Sequence, residues 1–356
     1  MKASWDKGAP ACFVGFGPTG VQHYRSSMPA AALGASQFIR NHQDLSVISK
    51  IGVMEEPVLI YSMPFEDFQL AECAQVLEAG QKLIVDVDDY LRSLIGKDDI
   101  VQSNPFTLES VGRHEEVLKK ATLVTTSNEW LANKLRDTLG VECVICPNAL
   151  DMDRFNIRRL PRRKDLTVVG WSGAAGHADA LLQTIIPAMS AVLDARDDVL
   201  FCLIGDPVAG GKDVAELFNE DARERVHTIP FSPLYKHAGV ISQFHITLAP
   251  TLDNDFYRAK SDIRYLEASG AYSAVVASET TYGPEIRHAS KIMGQPAGVV
   301  VDADPDAWVS AIMGLIADPK GRDRMSRVAR KYVNQYRTME QAKYPWIDAI
   351  ERAIEK

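Results

Sequence analysis

Strand-like apolar runs alternate with helix-like segments along almost the whole chain, and that alternation limits the fold more than any other feature. In the first part, strand-like runs fall at 11–15, 46–51, 58–61, 82–87, 123–126 and 143–146, with helical stretches at 21–33, 65–79, 109–120 and 128–139. Parallel neighbours in a sheet need a crossover, and a helix is the usual one. Such alternation therefore predicts an α/β fold with helices on both faces of a parallel sheet. The run KLIVDV at 82–87 is nearly all apolar, as a strand covered on both faces should be. Pro29 falls inside 21–33, where a helix tolerates it only at a kink or break.

A second series starts at 166–170. It continues with a helix at 178–193, a strand at 199–205, a helix at 213–219, a strand at 226–229 and a helix at 234–242. Strands at 246–248, 274–277 and 298–301 and a helix at 305–316 complete it. The intervening 156–165 is basic, contains proline and reads as a linker, and 322–354 reads as a long helix pair. A chain of 356 residues exceeds one ordinary core. The expectation is two doubly wound halves, 1–155 and 166–330, facing a central cleft, with 331–356 as a terminal helix.

The composition is that of a globular chain, and the net charge of −8 argues against a general nucleic-acid coat. The dense basic cluster Arg158, Arg159, Arg162, Arg163 and Lys164 reads as a solvated linker or as a patch for DNA. No apolar run approaches the ~18 residues that span a bilayer, and the N-terminus lacks a signal-peptide pattern. With scattered, odd-numbered cysteines, this points to the cytoplasm. Cys143 and Cys146 form a lone C-x-x-C without a second pair, and read as buried small residues.

The chemistry concentrates at 246–286. A short strand ends at Pro250, a helix carries Glu267, and a second strand follows Gly270. A carboxylate facing strand ends can accept both hydroxyls of a ribose, and ligands of open α/β sheets sit at those ends. Gly15, Gly17 and Gly20 fit G-x-G-x-x-G after a strand. The loop reads as a dinucleotide site for NAD or FAD, as a bare tight turn, or as a glycine loop facing a donor sugar. A dinucleotide fold wants an acid about twenty residues on, where Ser49 and Lys50 stand, and Pro18 interrupts the motif. Asp86, Asp88 and Asp89 end a strand at the cleft, where carboxylates bind a metal, act as a base, orient an acceptor or cap a helix. Asp88 is the one placed nearest the reacting centre. His177 reads as a phosphate ligand or a surface residue, and His23, Tyr24 and Arg25 as acceptor lining or an ordinary polar helix face.

The stretch 246–286 resembles the donor half of GT-B glycosyltransferases, specifically the retaining, family 4-like group. The pattern there is P-S-x-x-E-x-x-G-x-x-x-x-E-A-x-x-x-G-x-P-V-V-A-S, then G-x-x-E-I, with Tyr282 in place of that last glycine here. Val169 to Gly173 with His177 resembles the first donor-domain strand and loop, whose amides meet the diphosphate. The strand FCLIGD carries Gly205, and Ile229-Pro230-Phe231 resembles the nucleobase loop. ATLVTTSNEWLANKLR and VICPNALDMDRF resemble upstream pieces of the same family, with Asn148 near the domain crossover.

The resemblance implies Gly17, Ser172, Gly173, His177, Gly205, Phe231, Lys260, Arg264 and Glu267 as donor-binding residues. It implies His23, Tyr24, Arg25, Asp86 and Asp89 on the acceptor side, Lys260, Asp88 and Asp262 near the chemistry, and neither metal nor cofactor beyond the donor substrate. The implied activity is transfer of a hexosyl or pentosyl group from a nucleoside diphosphate, with retention, to a glycan, a protein or a modified nucleic-acid base. The last helix would cross back to the first half on Tyr344, Trp346 and Ile347. One departure stands out. The family carries two glutamates eight residues apart, but Ala259 stands where the first belongs. Either Asp262 substitutes from the next turn, or the sugar is held differently. Lys260 is placed to offset the leaving diphosphate. A nucleotide-sugar-binding protein with little turnover, or a Rossmann oxidoreductase, are the alternatives.

Overall fold

A computed structural model describes residues 8–17, 19–40, 56–96, 106–156, 165–205, 213–231 and 233–356. Two parallel six-stranded sheets form the molecule. The first holds β1 (Ala11–Phe16), β2 (Ser36–Arg40), β3 (Val58–Ser62), β4 (Lys82–Val87), β5 (Leu123–Thr126) and β6 (Cys143–Ile145), in the order β2-β1-β3-β4-β5-β6. The second holds β7 (Thr167–Gly173), β8 (Val199–Gly205), β9 (Val226–Ile229), β10 (Ile246–Ala249), β11 (Ala274–Ser278) and β12 (Val299–Val301), in the order β12-β11-β10-β7-β8-β9. Strand order reverses between β1 and β3 and between β7 and β10, which creates a crevice at each set of C-terminal strand ends.

The strands at 82–87, 123–126, 199–205 and 226–229 fall where the apolar pattern put them. The edge strand beside β1 is Ser36–Arg40, too polar and exposed to stand out, whereas the expected strand at 46–51 and the basic cluster at 158–164 lie outside the described residues. The helix expected at 213–219 is a short 3-10 turn, Val214–Leu217. Asn219 then restarts the chain by accepting the Ala222 N–H at 2.9 Å as the cap of a new turn. Pro29 is accommodated by a π-helical turn, His23–Ser27, immediately before it. The same device, Leu181–Ile185, precedes Pro187 in the other half.

The segment 331–336 stays with the second half, inside the helix Pro319–Tyr336, whose Tyr332 and Val333 are buried in that core. The chain crosses back at Arg337 and Thr338, and the helix Met339–Glu355 packs on the first sheet. Trp346 meets Phe13 edge-on at 5.4 Å and Ile347 joins the same cluster, whereas Tyr344 is 47% exposed and outside that cluster. The two crossings run side by side. Leu150 N–H donates to Arg337 O at 2.8 Å, and Arg337 Nη2 donates to Asn148 O at 3.0 Å. The helix Ala178–Ala195 is long and apolar enough to cross a membrane, yet its Leu181, Ile185, Met189 and Val192 lie in the core of the second half.

Candidate active site

The second half forms a recess from glycines around the guanidinium of Arg264. Gly205 has φ +115°, and a Cβ there would lie 2.2 Å from Gly173 O and 2.7 Å from the Phe231 ring. A Cβ on Gly173 would lie 2.6 Å from the Trp171 ring and 2.9 Å from Arg264 Nη2. Only glycines let these strand ends approach, and they leave backbone facing Arg264. Arg264 Nη1 is buried with no hydrogen-bond partner among the described residues, and its guanidinium lies 5.8 Å from the Trp171 ring centre. His177 Nδ1 is likewise buried and unpartnered. Burial, then the charges of Arg264 and Lys260, hold its imidazole well below the ordinary histidine range, so it is neutral at pH 7. Its ring lies 5.7 Å from those of Phe256 and Tyr257, and Tyr257 donates to Asp179. Phe231 stands 59% exposed at the rim.

Glu267 projects from the helix Ile263–Gly270, 8% exposed. Tyr24 donates to its Oε1 at 2.6 Å, and His237 Nε2 lies 3.5 Å from its Oε2. Burial works to raise the Glu267 carboxyl, but His237, the Tyr24 hydrogen bond and Arg264 outweigh it, so it ionises below the ordinary range. Burial works against His237 as well. Glu267 reverses the balance and holds its imidazole above the ordinary value.

Segment 255–261 is fastened to the first half. Asn128 Nδ2 donates to Ala259 O at 2.7 Å and to Lys260 O at 3.1 Å, and Asn148 Nδ2 donates to Ser261 Oγ at 2.8 Å. Lys134 pairs with Asp255 at 2.8 Å, and Lys260 Nζ with Asp89 at 2.5 Å. Asp88, half-buried beside them, is pushed up to about 7 by burial and by the charges of Asp89 and Asp86. Ala259 is fully buried among apolar side chains of the first half. A glutamate there would place a carboxylate among buried apolar side chains.

Several of the expected site residues are engaged within the protein. Asp262 does not stand in for the missing glutamate, because both its oxygens accept from Arg337, at 2.6 and 3.1 Å, and Arg337 also pairs with Glu285. Arg25 and Asp86 do not face an acceptor. They form a core pair, 1% and 0% exposed, with bonds of 3.0 and 2.6 Å, and Thr125 donates to the same carboxylate at 2.7 Å. Arg25 further donates to Cys146 O and to Asn148 Oδ1. His23 is buried, and that burial, then Arg154, lowers its pKa to about 4, so it offers no charge. Asp89 is engaged by Lys260 and Tyr24 by Glu267, so neither is open in this arrangement. No group of three potential metal-ligating side chains converges among the described residues.

The first glycine loop is filled from within. A Cβ on Gly15 would lie 2.7 Å from Ser26 Oγ, and one on Gly17 2.9 Å from Gln22 Oε1. The strand beside β1 ends in Arg40, and residues 41–55 lie outside the described ones. Sequence reasoning missed His237, Arg337 and Asn128. They act through contacts with residues far away in the chain, which local pattern does not show.

No family model and no curated protein matches this chain. Solved structures do. Sucrose-phosphate synthase from Thermosynechococcus elongatus superposes with a TM-score of 0.70 at 12% identity, over 97% of this chain and 99% of that one. HepE from Anabaena in complex with UDP-glucose gives 0.66 at 12% identity, over 97% and 99%. A glycosyltransferase from Rickettsia africae gives 0.65 at 11%, again over 97% and 99%. The two parallel sheets, the reversal points and this likeness agree: the chain has the GT-B fold of glycosyltransferases.

Proposed function

We propose that the protein moves a sugar from a nucleoside diphosphate held on the second half to an acceptor held across the cleft, with retention of configuration. The observation that carries this reading is the half-buried Arg264, whose Nη1 has no hydrogen-bond partner among the described residues, beside glycine-lined strand ends and one helical turn before Glu267. A buried cation with an unfilled hydrogen bond is an anion site. The carboxylate alongside it suits the ribose that accompanies a diphosphate. The complexes of HepE with UDP and UDP-glucose support uridine nucleotides as the first donors to test.

In this reading Ser172, Gly173 and Gly205 present backbone to the diphosphate, Phe231 flanks the base, and Glu267 takes the ribose diol in place of Tyr24. Lys260 and Arg264 supply positive charge as the leaving group departs, without an added metal. One such donor is worth about 3 kcal/mol. The leaving phosphate takes the acceptor proton on the same face, and Asp88 orients that hydroxyl. Closure of the halves excludes water.

A second reading, a nucleotide-sugar-binding protein without turnover, draws on the burial of Ala259. Calorimetric titration with UDP, GDP, ADP, CDP and their sugars tests both, with Glu267→Ala and Lys260→Ala alongside. Saturable binding of one nucleotide, weakened by both changes, together with slow donor hydrolysis, fits transfer. Binding without any hydrolysis favours the second reading. Binding of NAD or FAD alone overturns both.

A further inference from the structure

A cavity of about 350 Å³ opens at the C-terminal ends of β10, β11 and β12. Its volume lies within the ~300–1,000 Å³ typical of small-molecule sites. Thr251 lines it, 2% exposed, and its Oγ1 has no hydrogen-bond partner among the described residues. A buried hydroxyl left without a partner is costly, and Thr251 borders the cavity. Ser278, the N-cap residue of the helix Glu279–Met293, spends its hydroxyl on Thr251 N–H at 2.9 Å and makes no cap bond. The first amides of that helix are therefore left without a side-chain acceptor at the cavity wall.

The charges around it disfavour an anion. Asp253, Glu279 and Asp302 line the cavity against one guanidinium, that of Arg258, which is already bonded to Asp253 at 2.8 Å. Glu279 is likewise paired with Arg287. The first half contributes Trp130, whose ring is braced edge-on by Tyr90 at 6.1 Å and by Lys134 Nζ at 5.5 Å. A rigid aromatic ring with mixed donors and acceptors and a surplus of carboxylates matches a neutral polyhydroxylated ligand. Trp130, Arg258 and Thr280 also line a larger crevice of about 850 Å³ between the halves, which reaches Lys260.

We propose that this cavity is a subsite for a neutral sugar unit of a saccharide acceptor, stacked on Trp130 and hydrogen-bonded to Thr251, with the rest of the acceptor leading toward Lys260. The role as acceptor subsite rests on the glycosyltransferase reading; the binding of a neutral sugar does not.

The test is calorimetry on the full chain with neutral gluco-, galacto- and mannotrisaccharides, the same sugars sulfated, and UDP titrated separately. One neutral trisaccharide should bind saturably and its sulfated form more weakly. Trp130→Ala should weaken that binding about tenfold or more, and the isosteric Thr251→Val about fivefold, with UDP affinity unchanged in both. Should Trp130→Ala fail to fold, Thr251→Val alone decides. No saturable binding of any neutral trisaccharide, tighter binding of the sulfated form, or indifference to Thr251→Val overturns the subsite. Intact UDP binding in that case leaves the donor reading standing. Trisaccharide binding without UDP binding overturns the donor reading and keeps the subsite.

Discussion

Lys260 Nζ lies 2.5 Å from Asp89 Oδ1, so the lysine proposed to meet a leaving diphosphate is bonded across the cleft to the opposite half. Its side chain is 21% exposed and that of Asp89 26%, and the ammonium also lies 4.3 Å from the Phe256 ring centre. A half-exposed ion pair of this kind contributes ~1 kcal/mol or less to stability. Lys260→Ala should therefore melt within a few degrees of the parent, while its rate of transfer falls about 100-fold or more if Lys260 stabilises the departing phosphate. Steady-state kinetics and a melting curve on the same preparation check this. A large loss of stability with unchanged turnover would show that the lysine only ties the halves together.

The Arg25–Asp86 pair predicts the opposite pattern. Both groups are buried, and Arg25 also satisfies Cys146 O and Asn148 Oδ1. Removing one partner strands the other charge in the core, which costs about 3–5 kcal/mol. Arg25→Ala and Asp86→Ala should each lower the urea midpoint strongly, and the double variant should lose much less than the sum of the two. Strict additivity would mean that the two side chains act independently.

Much of the fold was legible because buried parallel strands are apolar on both faces, as KLIVDV is at β4, and because glycines and prolines mark their ends. The edge strand β2 was not, since three of its five residues are polar. Within the site, the glycine positions and Glu267 were readable from local pattern. The partners that define their chemistry were not, because His237, Arg337 and Tyr24 reach Glu267 or Asp262 from remote segments. The same limit explains Asp262, whose spacing suggests a sugar ligand while its oxygens belong to Arg337.

Asp88 makes stability depend on pH. Its carboxyl is raised from an ordinary 3.8 to about 7, first by burial and then by Asp89 and Asp86. Between those values the folded protein keeps a proton that the unfolded chain has released. Stability therefore falls as pH rises from about 4 to about 7, by an amount on the order of 1–3 kcal/mol. Asp88→Asn should flatten that slope. Lys260→Ala should extend it to higher pH, because the lysine charge favours the ionised form. Denaturant unfolding of the three proteins across this range, with an unchanged slope in Asp88→Asn, would assign the dependence elsewhere.

Tyr24 holds Glu267 Oε1 at 2.6 Å from the opposite half, while His237 stands at Oε2. A ribose diol that binds this carboxylate displaces the tyrosine hydroxyl, so the contact competes with the donor. Tyr24→Phe removes the competing bond and keeps the ring packed. A neutral-to-charged hydrogen bond in a buried site contributes about 1.5–3 kcal/mol, part of which Tyr24 recovers through water once displaced. UDP should then bind several-fold more tightly to Tyr24→Phe than to the parent, whereas Glu267→Gln should bind it more weakly. His237→Ala separates the two halves of the effect. It removes the imidazole that favours the ionised form of Glu267 but leaves the tyrosine in competition, so UDP affinity should fall. Calorimetric titration at one pH gives all four constants. Weaker binding in Tyr24→Phe would show instead that the hydroxyl contacts the nucleotide directly, and that the two halves clasp the donor between Tyr24 and Glu267.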